Sequence, residues 1–258
     1  MATQSKRLLS LDILRGITIA GMLLVNNPGS WGHIYAPLDH AEWIGLTPTD
    51  LVFPFFMFVM GVSMYFSLRK FNFQLSGHVF MKIARRTILL FLIGWAIFWF
   101  SFFMRHIFKP DCTLAEAVNC VDSLRILGVF PRLALTYFFG SMIVVTCRHK
   151  LVPWIIGGIL VVYAVILYFG NGYEWSTDNI IARIDTAVLG ENHMYHDTVD
   201  GLKLAFDPEG ILSTLPGIAH VLIGFMMGKT IIEHKDNFDR INRLLLVGFA
   251  MLLGGWLL

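Results

Sequence analysis

The chain has 258 residues, 56% of them hydrophobic and 15% charged, with a formal net charge of +2 at pH 7. A soluble domain carries about 25% charged residues, so this balance excludes an ordinary soluble globule. The apolar residues, 22 Phe and 7 Trp among them, suit lipid-facing surfaces and interfacial belts.

A helix needs about 20 mostly apolar residues to cross a bilayer. On that rule about seven spans are predicted in chain order, near 8–27, 50–68, 86–107, 126–147, 151–170, 211–231 and 241–258. The runs lack the alternation of barrel strands, so the expected fold is all-α, a polytopic transmembrane helix bundle. Lys6 and Arg7 precede the first span without a small-residue cleavage pattern, so that span is expected to stay. The loop 28–49 has no Lys or Arg, whereas 69–86 holds Arg69, Lys70, Lys82, Arg85 and Arg86, 148–150 is Arg-His-Lys, and 229–243 is basic again. By the positive-inside rule the basic loops and the N-terminus are cytoplasmic. The loops 28–49, 108–125 and 171–210 then face the other side. The segment 171–210 is too short to hold its own core, so it is expected to fold over the helix ends as an extracytoplasmic loop covering the site. One transmembrane domain spans 1–258. The chain ends inside an apolar run, LLGGWLL, and is expected to be truncated at its C-terminus.

Span one offers Asp12 and Arg15 on one helix face, where they can pair, and Asn26 and Asn27 at the far end. Eleven residues separate Arg15 from Asn26, about 16 Å of helix. The stretch PLDHAEWIGLTPTDLVFPFF then sets Asp39, His40, Glu42, Trp43 and Asp50 at the lip of span two. Charges beside hydrocarbon are costly and point to function. An imidazole is the side chain best suited to accept a proton near neutral pH. Acids with an aromatic wall fit a cationic, sugar-like ligand. Pro54, Pro131 and Pro216 lie within or near spans, where each can kink a helix. Arg132 lies inside span four and needs a partner or water. Arg85 and Arg86 at the lip of span three suit a phosphate, although plain orientation explains them as well. In 171–210 the run GENHMYHD carries His193 and His196 beside Glu191 and Asp197, an H-x-x-H too weak to predict a metal. FDPEG puts Asp207 and Glu209 before span six, where acids favour a helix N-terminus and can face the His40 pocket. Cys112 and Cys120 share one non-cytoplasmic loop; if that side is oxidising they can form a disulfide. Neither zinc-type cysteine pairs nor a P-loop or GxGxxG occurs, and nothing points to nucleic acid.

SLDILRGITIAGMLLVNNPG, HAEWIGLTPTDLVFPFFMFVMGVS, RILGVFPRLALTYF, VLGENHMY and AFDPEGILSTLPGI together resemble the heparan-α-glucosaminide N-acetyltransferase family, in order over nearly the whole chain. The resemblance implies transfer of an acetyl group from cytosolic acetyl-CoA to a terminal glucosamine amine across the membrane. It puts the active-site histidine at His40 and a catalytic asparagine at Asn26. With it come further expectations: acetyl-CoA as co-substrate, held at its nucleotide by Arg15, Arg85, Arg86 or Arg132; an acceptor held by Asp50, Trp43, Glu42, Asp207 and Glu209; and no metal. The expected partners are the amino sugar, the lipid bilayer and a second copy of the chain in a homodimer. The expected place is a bacterial inner membrane with His40 on the non-cytoplasmic side. A transporter of a small sugar or amine is the rival reading, since broken helices and a polar pocket also suit transport, though no inverted repeat is visible.

Overall fold

The computed structural model describes residues 8–41, 43–109, 113–119, 121–199, 202–234 and 236–257. Each of the seven apolar runs is a helix: α1 Leu9–Val25, α2 Val52–Arg69, α3 Gly77–Ile107, α5 Val129–Thr146, α6 Val152–Phe169, α8 Thr214–Glu233 and α9 Asn237–Leu257. The short helices α4, Leu114–Val118, and α7, Ile180–Leu189, lie in the connections. An antiparallel hairpin of β1, His196–Val199, and β2, Leu202–Ala205, pairs His196 with Ala205. It is the one departure from an all-helical fold among the described residues.

Among the described residues α2, α3, α5, α6 and α8 are long and apolar enough to cross a membrane; this is the architecture of an integral membrane protein. The first and last helices fall outside that group: α1 has 17 residues, and α9 opens with Asp239, Arg240 and Arg243. The third helix starts nine residues before the expected position 86, because Ser76 caps it by accepting from the Val79 amide at 3.3 Å. Arg85 and Arg86 therefore sit within the helix rather than at its lip.

The core lies where α2, α5 and α8 meet. Met64, Leu68, Tyr137, Val221, Leu222 and Phe225 are almost wholly buried there. α2 and α8 touch along glycines: a side chain at Gly61 would strike the Val221 carbonyl, and one at Gly224 the Phe58 carbonyl. In lipid, where hydrocarbon contact alone does not drive helices together, such close backbone approach is a main source of association. By contrast α3 leaves Ile88, Leu89, Leu92, Ile93, Ile97 and Phe100 on an open face, as a surface turned to acyl chains requires.

Pro54, Pro131 and Pro216 each occupy the third residue of their helix. The amide there has no partner within the helix, so proline is tolerated. The expected kinks are absent: the prolines begin α2, α5 and α8 rather than break them. All three helix N-termini lie at one end of the bundle, and a cavity opens among them.

Candidate active site

The cavity has a volume of about 750 Å³. α1 contributes Asn26 to its wall; the loop after it contributes His40, Trp43 and Asp50. The first two turns of α2, α5 and α8 contribute Phe53, Met57, Arg132, Gly217 and His220, and the connections contribute Arg125, Tyr195, Phe206 and Glu209. Residues expected to share a pocket from 28–49, span one and FDPEG are thus brought together.

His40 is held by Asp50. Nδ1 lies 2.6 Å from Asp50 Oδ1; the carboxylate accepts, so Nδ1 carries the hydrogen, and in the neutral imidazole Nε2 is the nitrogen with the lone pair. The other oxygen, Oδ2, accepts from the Thr47 amide at 2.9 Å, the Thr47 hydroxyl at 3.0 Å and the Ala41 amide at 3.3 Å. Burial pushes the Asp50 pKa up, but the hydrogen bonds from His40, Thr47 and Ala41 outweigh it, and the carboxyl sits below the usual aspartate value. The imidazole itself remains well exposed. Oδ2 is thereby taken up by the loop, and Oδ1 meets the ring. Asp50, expected to hold the acceptor, lines the cavity and is hydrogen-bonded to the histidine ring. Asn26 ends α1, and its side-chain amide has no hydrogen-bond partner among the described residues. Trp43 donates from Nε1 to the Gly172 carbonyl at 3.1 Å and meets Phe206 edge-on, ring centroids 4.5 Å apart. Glu42 lies outside the described residues, as do Cys112 and Cys120.

FDPEG forms the facing wall. Asp207 is wholly buried. It accepts from Arg125 Nε at 2.9 Å and Nη2 at 2.5 Å, from the Tyr195 amide at 3.1 Å and from the Glu209 amide at 3.0 Å. No oxygen is left to meet an acceptor, so Asp207 holds the wall together. Glu209 pairs with the same guanidinium and does line the cavity. Behind this turn, Asp185 of α7 accepts from the Ile211 amide at 2.8 Å, while its Oδ2 is buried with no hydrogen-bond partner among the described residues. Gly210 packs so tightly on this carboxyl that a Cβ would overlap it.

Arg132, expected among the nucleotide-binding arginines, is at the cavity. It donates to the Pro208 carbonyl at 3.0 Å and the Ser213 carbonyl at 2.7 Å. The reason is chain direction: α5 starts at this end, and Arg132 is in its first turn. Arg15, Arg85 and Arg86 stand away from the cavity lining. Arg15 pairs with Asp12 at 3.3 Å and donates to the Ser63 hydroxyl. The Arg86 guanidinium lies over the Tyr137 ring at 4.5 Å.

His193, a metal-ligand candidate on its sequence, is used to tie two connections together. Its Nδ1 donates to the Leu124 carbonyl at 2.9 Å, and its own carbonyl accepts from the Ile126 amide at 3.1 Å. Arg125 and His220 are cavity residues that sequence reasoning missed. Arg125 meets partners 82 and 84 residues away, and nothing local announces that. His220 is a lone histidine on an apolar helix whose Nδ1 donates to the Pro216 carbonyl at 3.2 Å.

A family model described as heparan-alpha-glucosaminide N-acetyltransferase, catalytic, matches residues 7–115. The human heparan-alpha-glucosaminide N-acetyltransferase is 30% identical over 278 residues, 89% of this chain and 39% of its own length. The mouse protein of the same name is 28% identical over 285 residues, 91% of this chain and 40% of its own. The chain spans about two fifths of the length of these relatives.

Proposed function

From the cavity and the similarity to heparan-alpha-glucosaminide N-acetyltransferases, we propose that the chain belongs to that family and that the cavity transfers an acetyl group from acetyl-CoA to the amine of a glucosamine-type sugar. The observation that carries this is the His40–Asp50 pair at 2.6 Å on the cavity wall. With Nδ1 pinned, Nε2 accepts the proton that the sugar amine loses as it attacks the thioester carbonyl. The unpartnered Asn26 amide donates to the oxygen that becomes negative as the carbonyl goes tetrahedral. Collapse expels the CoA thiolate, and the proton on Nε2 neutralises it. Amine and thioester must be held together for this, which favours a ternary complex. Transfer through an acetyl-histidine is the alternative, and labelled acetyl trapped on His40 without amine would mark it.

The sidedness follows from charge. The basic loops mark the cytoplasmic side of a bacterial inner membrane, and the His40 cavity opens on the opposite side. Arg15, Arg85 and Arg86, away from the cavity, suit the anionic nucleotide of acetyl-CoA at the basic end. Segment 171–210, which supplies Tyr195, Phe206 and Glu209 to the wall together with the turn that follows it, covers the acceptor. A homodimer is compatible with the open apolar faces of α3 and α9.

Purified protein in detergent, given acetyl-CoA and glucosamine, is expected to release free CoA in step with N-acetylglucosamine. A transporter using the same pocket would release none and would move sugar only across sealed vesicles. That second outcome would replace the enzyme reading.

A further inference from the structure

Arg125 is displayed with unusual care for a residue in a loop. The backbone on either side of it is tied to His193, through the Leu124 carbonyl and the Ile126 amide. The Ile126 carbonyl accepts from Trp95 Nε1 of α3 at 3.0 Å. The side chain is fixed as firmly: Nε and Nη2 fork onto the buried Asp207, Nη2 also meets Glu209, and the guanidinium lies over the Tyr195 ring at 5.1 Å. Two polar atoms remain. Arg125 Nη1 and Glu209 Oε1 have no hydrogen-bond partner among the described residues, and both side chains line the cavity.

We propose that Arg125 and Glu209 read adjacent hydroxyls of the acceptor, which makes Arg125 a specificity-determining residue. Charge decides the ligand class. At this wall the guanidiniums of Arg125 and Arg132 stand against the carboxylates of Asp207 and Glu209, while the remaining cavity carboxylate, Asp50, is hydrogen-bonded to His40. A free anion meets Glu209, a free cation meets Arg125, and only a neutral group that both accepts and donates satisfies the pair. Neighbouring hydroxyls on a pyranose do this, one accepting from Nη1 and one donating to Oε1. The aromatic Trp43, Phe206 and Tyr195 of the same wall suit the apolar face of such a ring. Because the fork is preorganised by Asp207, binding does not have to order it. The inference rests on the acceptor being an amino sugar, and it adds which atoms tell that sugar from a plain amine.

The test is calorimetric binding to the purified chain in detergent without acetyl-CoA, so that no turnover is needed. Glucosamine is compared with cyclohexylamine, which has the ring and the amine but no hydroxyl. The unaltered protein should bind glucosamine at least about tenfold tighter, the scale of hydrogen bonds to charged groups. Arg125→Lys keeps a cation on Asp207 but loses the fork. Glu209→Gln keeps the shape and leaves Asp207 paired, so it serves if the lysine variant does not fold. Either change should shrink the preference to within about twofold. Equal binding of the two amines by the unaltered protein, or a preference that survives both changes, overturns the proposal. CoA release is measured separately. Preference without release keeps this assignment and removes the acetyltransferase reading; release without preference does the reverse.

Discussion

His40 and Asp50 are ten residues apart in a loop whose turns, built on Thr47 and Asp39, fold it back on itself. The predicted role of Asp50 is orientation, so its loss should act on the rate and not on substrate binding. Asp50→Asn is expected to lower kcat by about 10²-fold or more, because a carboxamide can hold the wrong tautomer, with KM for acetyl-CoA little changed. Steady-state kinetics on the two proteins checks this. Asp185 makes a different prediction. Burial first, and then the charge of Asp207, push its pKa up from 3.8 to about 6, against the pull of the Ile211 and Leu212 amides. An acid raised in the folded state binds more protons folded than unfolded. Its favourable contribution is complete below pH 3.8 and is lost as the pH rises through about 6. The full difference is at most about 3 kcal/mol. Thermal midpoints of the Asp185→Asn variant should therefore fall less between pH 4.5 and pH 7.5 than those of the unaltered protein. Identical slopes would show that Asp185 does not titrate in this window. The placement of His40 and Glu209 at one cavity was legible at this scale because acids and an imidazole at a membrane lip are costly, and that of Asn26 through the family resemblance. Arg125 was not, because its meaning lies in Asp207 and Glu209, far along the chain. Asp50 was expected in the site and does line the cavity, whereas Asp207 is buried behind Arg125, since where a carboxylate faces depends on which donors already occupy its oxygens.

Apart from α3, which starts well before its apolar run, the long helices were legible to within about four residues at each end, because crossing hydrocarbon obliges the backbone to satisfy itself. The short connecting elements were not: α4 and α7 are held by caps, Thr113 with Glu116 and Asn179 with Ile181. The prolines show how position changes meaning. A proline inside a span suggests a kink, yet the third residue of a helix needs no amide partner, and there it marks a start. Close glycine contact between α2 and α8 carries the element-scale prediction. Gly224→Val would drive a branched side chain into the Phe58 carbonyl and push apart the two helices that follow Asp50 and the FDPEG wall. The variant should lose about 1–3 kcal/mol or more of stability, read as a lower thermal midpoint in detergent. Gly158 of α6, where a Cβ meets open space, should take the same substitution without that loss.

Across the whole molecule, α2, α5 and α8 run in one direction, and their positive dipole ends converge on the cavity. This suits an oxyanion that forms there and the carboxylates already present. The alternation of basic and non-basic loops gives the orientation, and it is testable by itself. With the protein oriented in sealed vesicles, a membrane-impermeant reagent should modify a cysteine placed at exposed Tyr35 from the side opposite one placed at Lys150. Modification of both from one side would break the proposed topology. The central claim is narrower: His40 Nε2 takes the amine proton as the acetyl group moves. Single-turnover transfer from labelled acetyl-CoA to glucosamine, by the unaltered protein and by His40→Ala, tests it most directly. The account predicts a transfer step slowed by about 10²–10⁴-fold with acetyl-CoA and glucosamine still bound. An unchanged transfer rate in His40→Ala would contradict it.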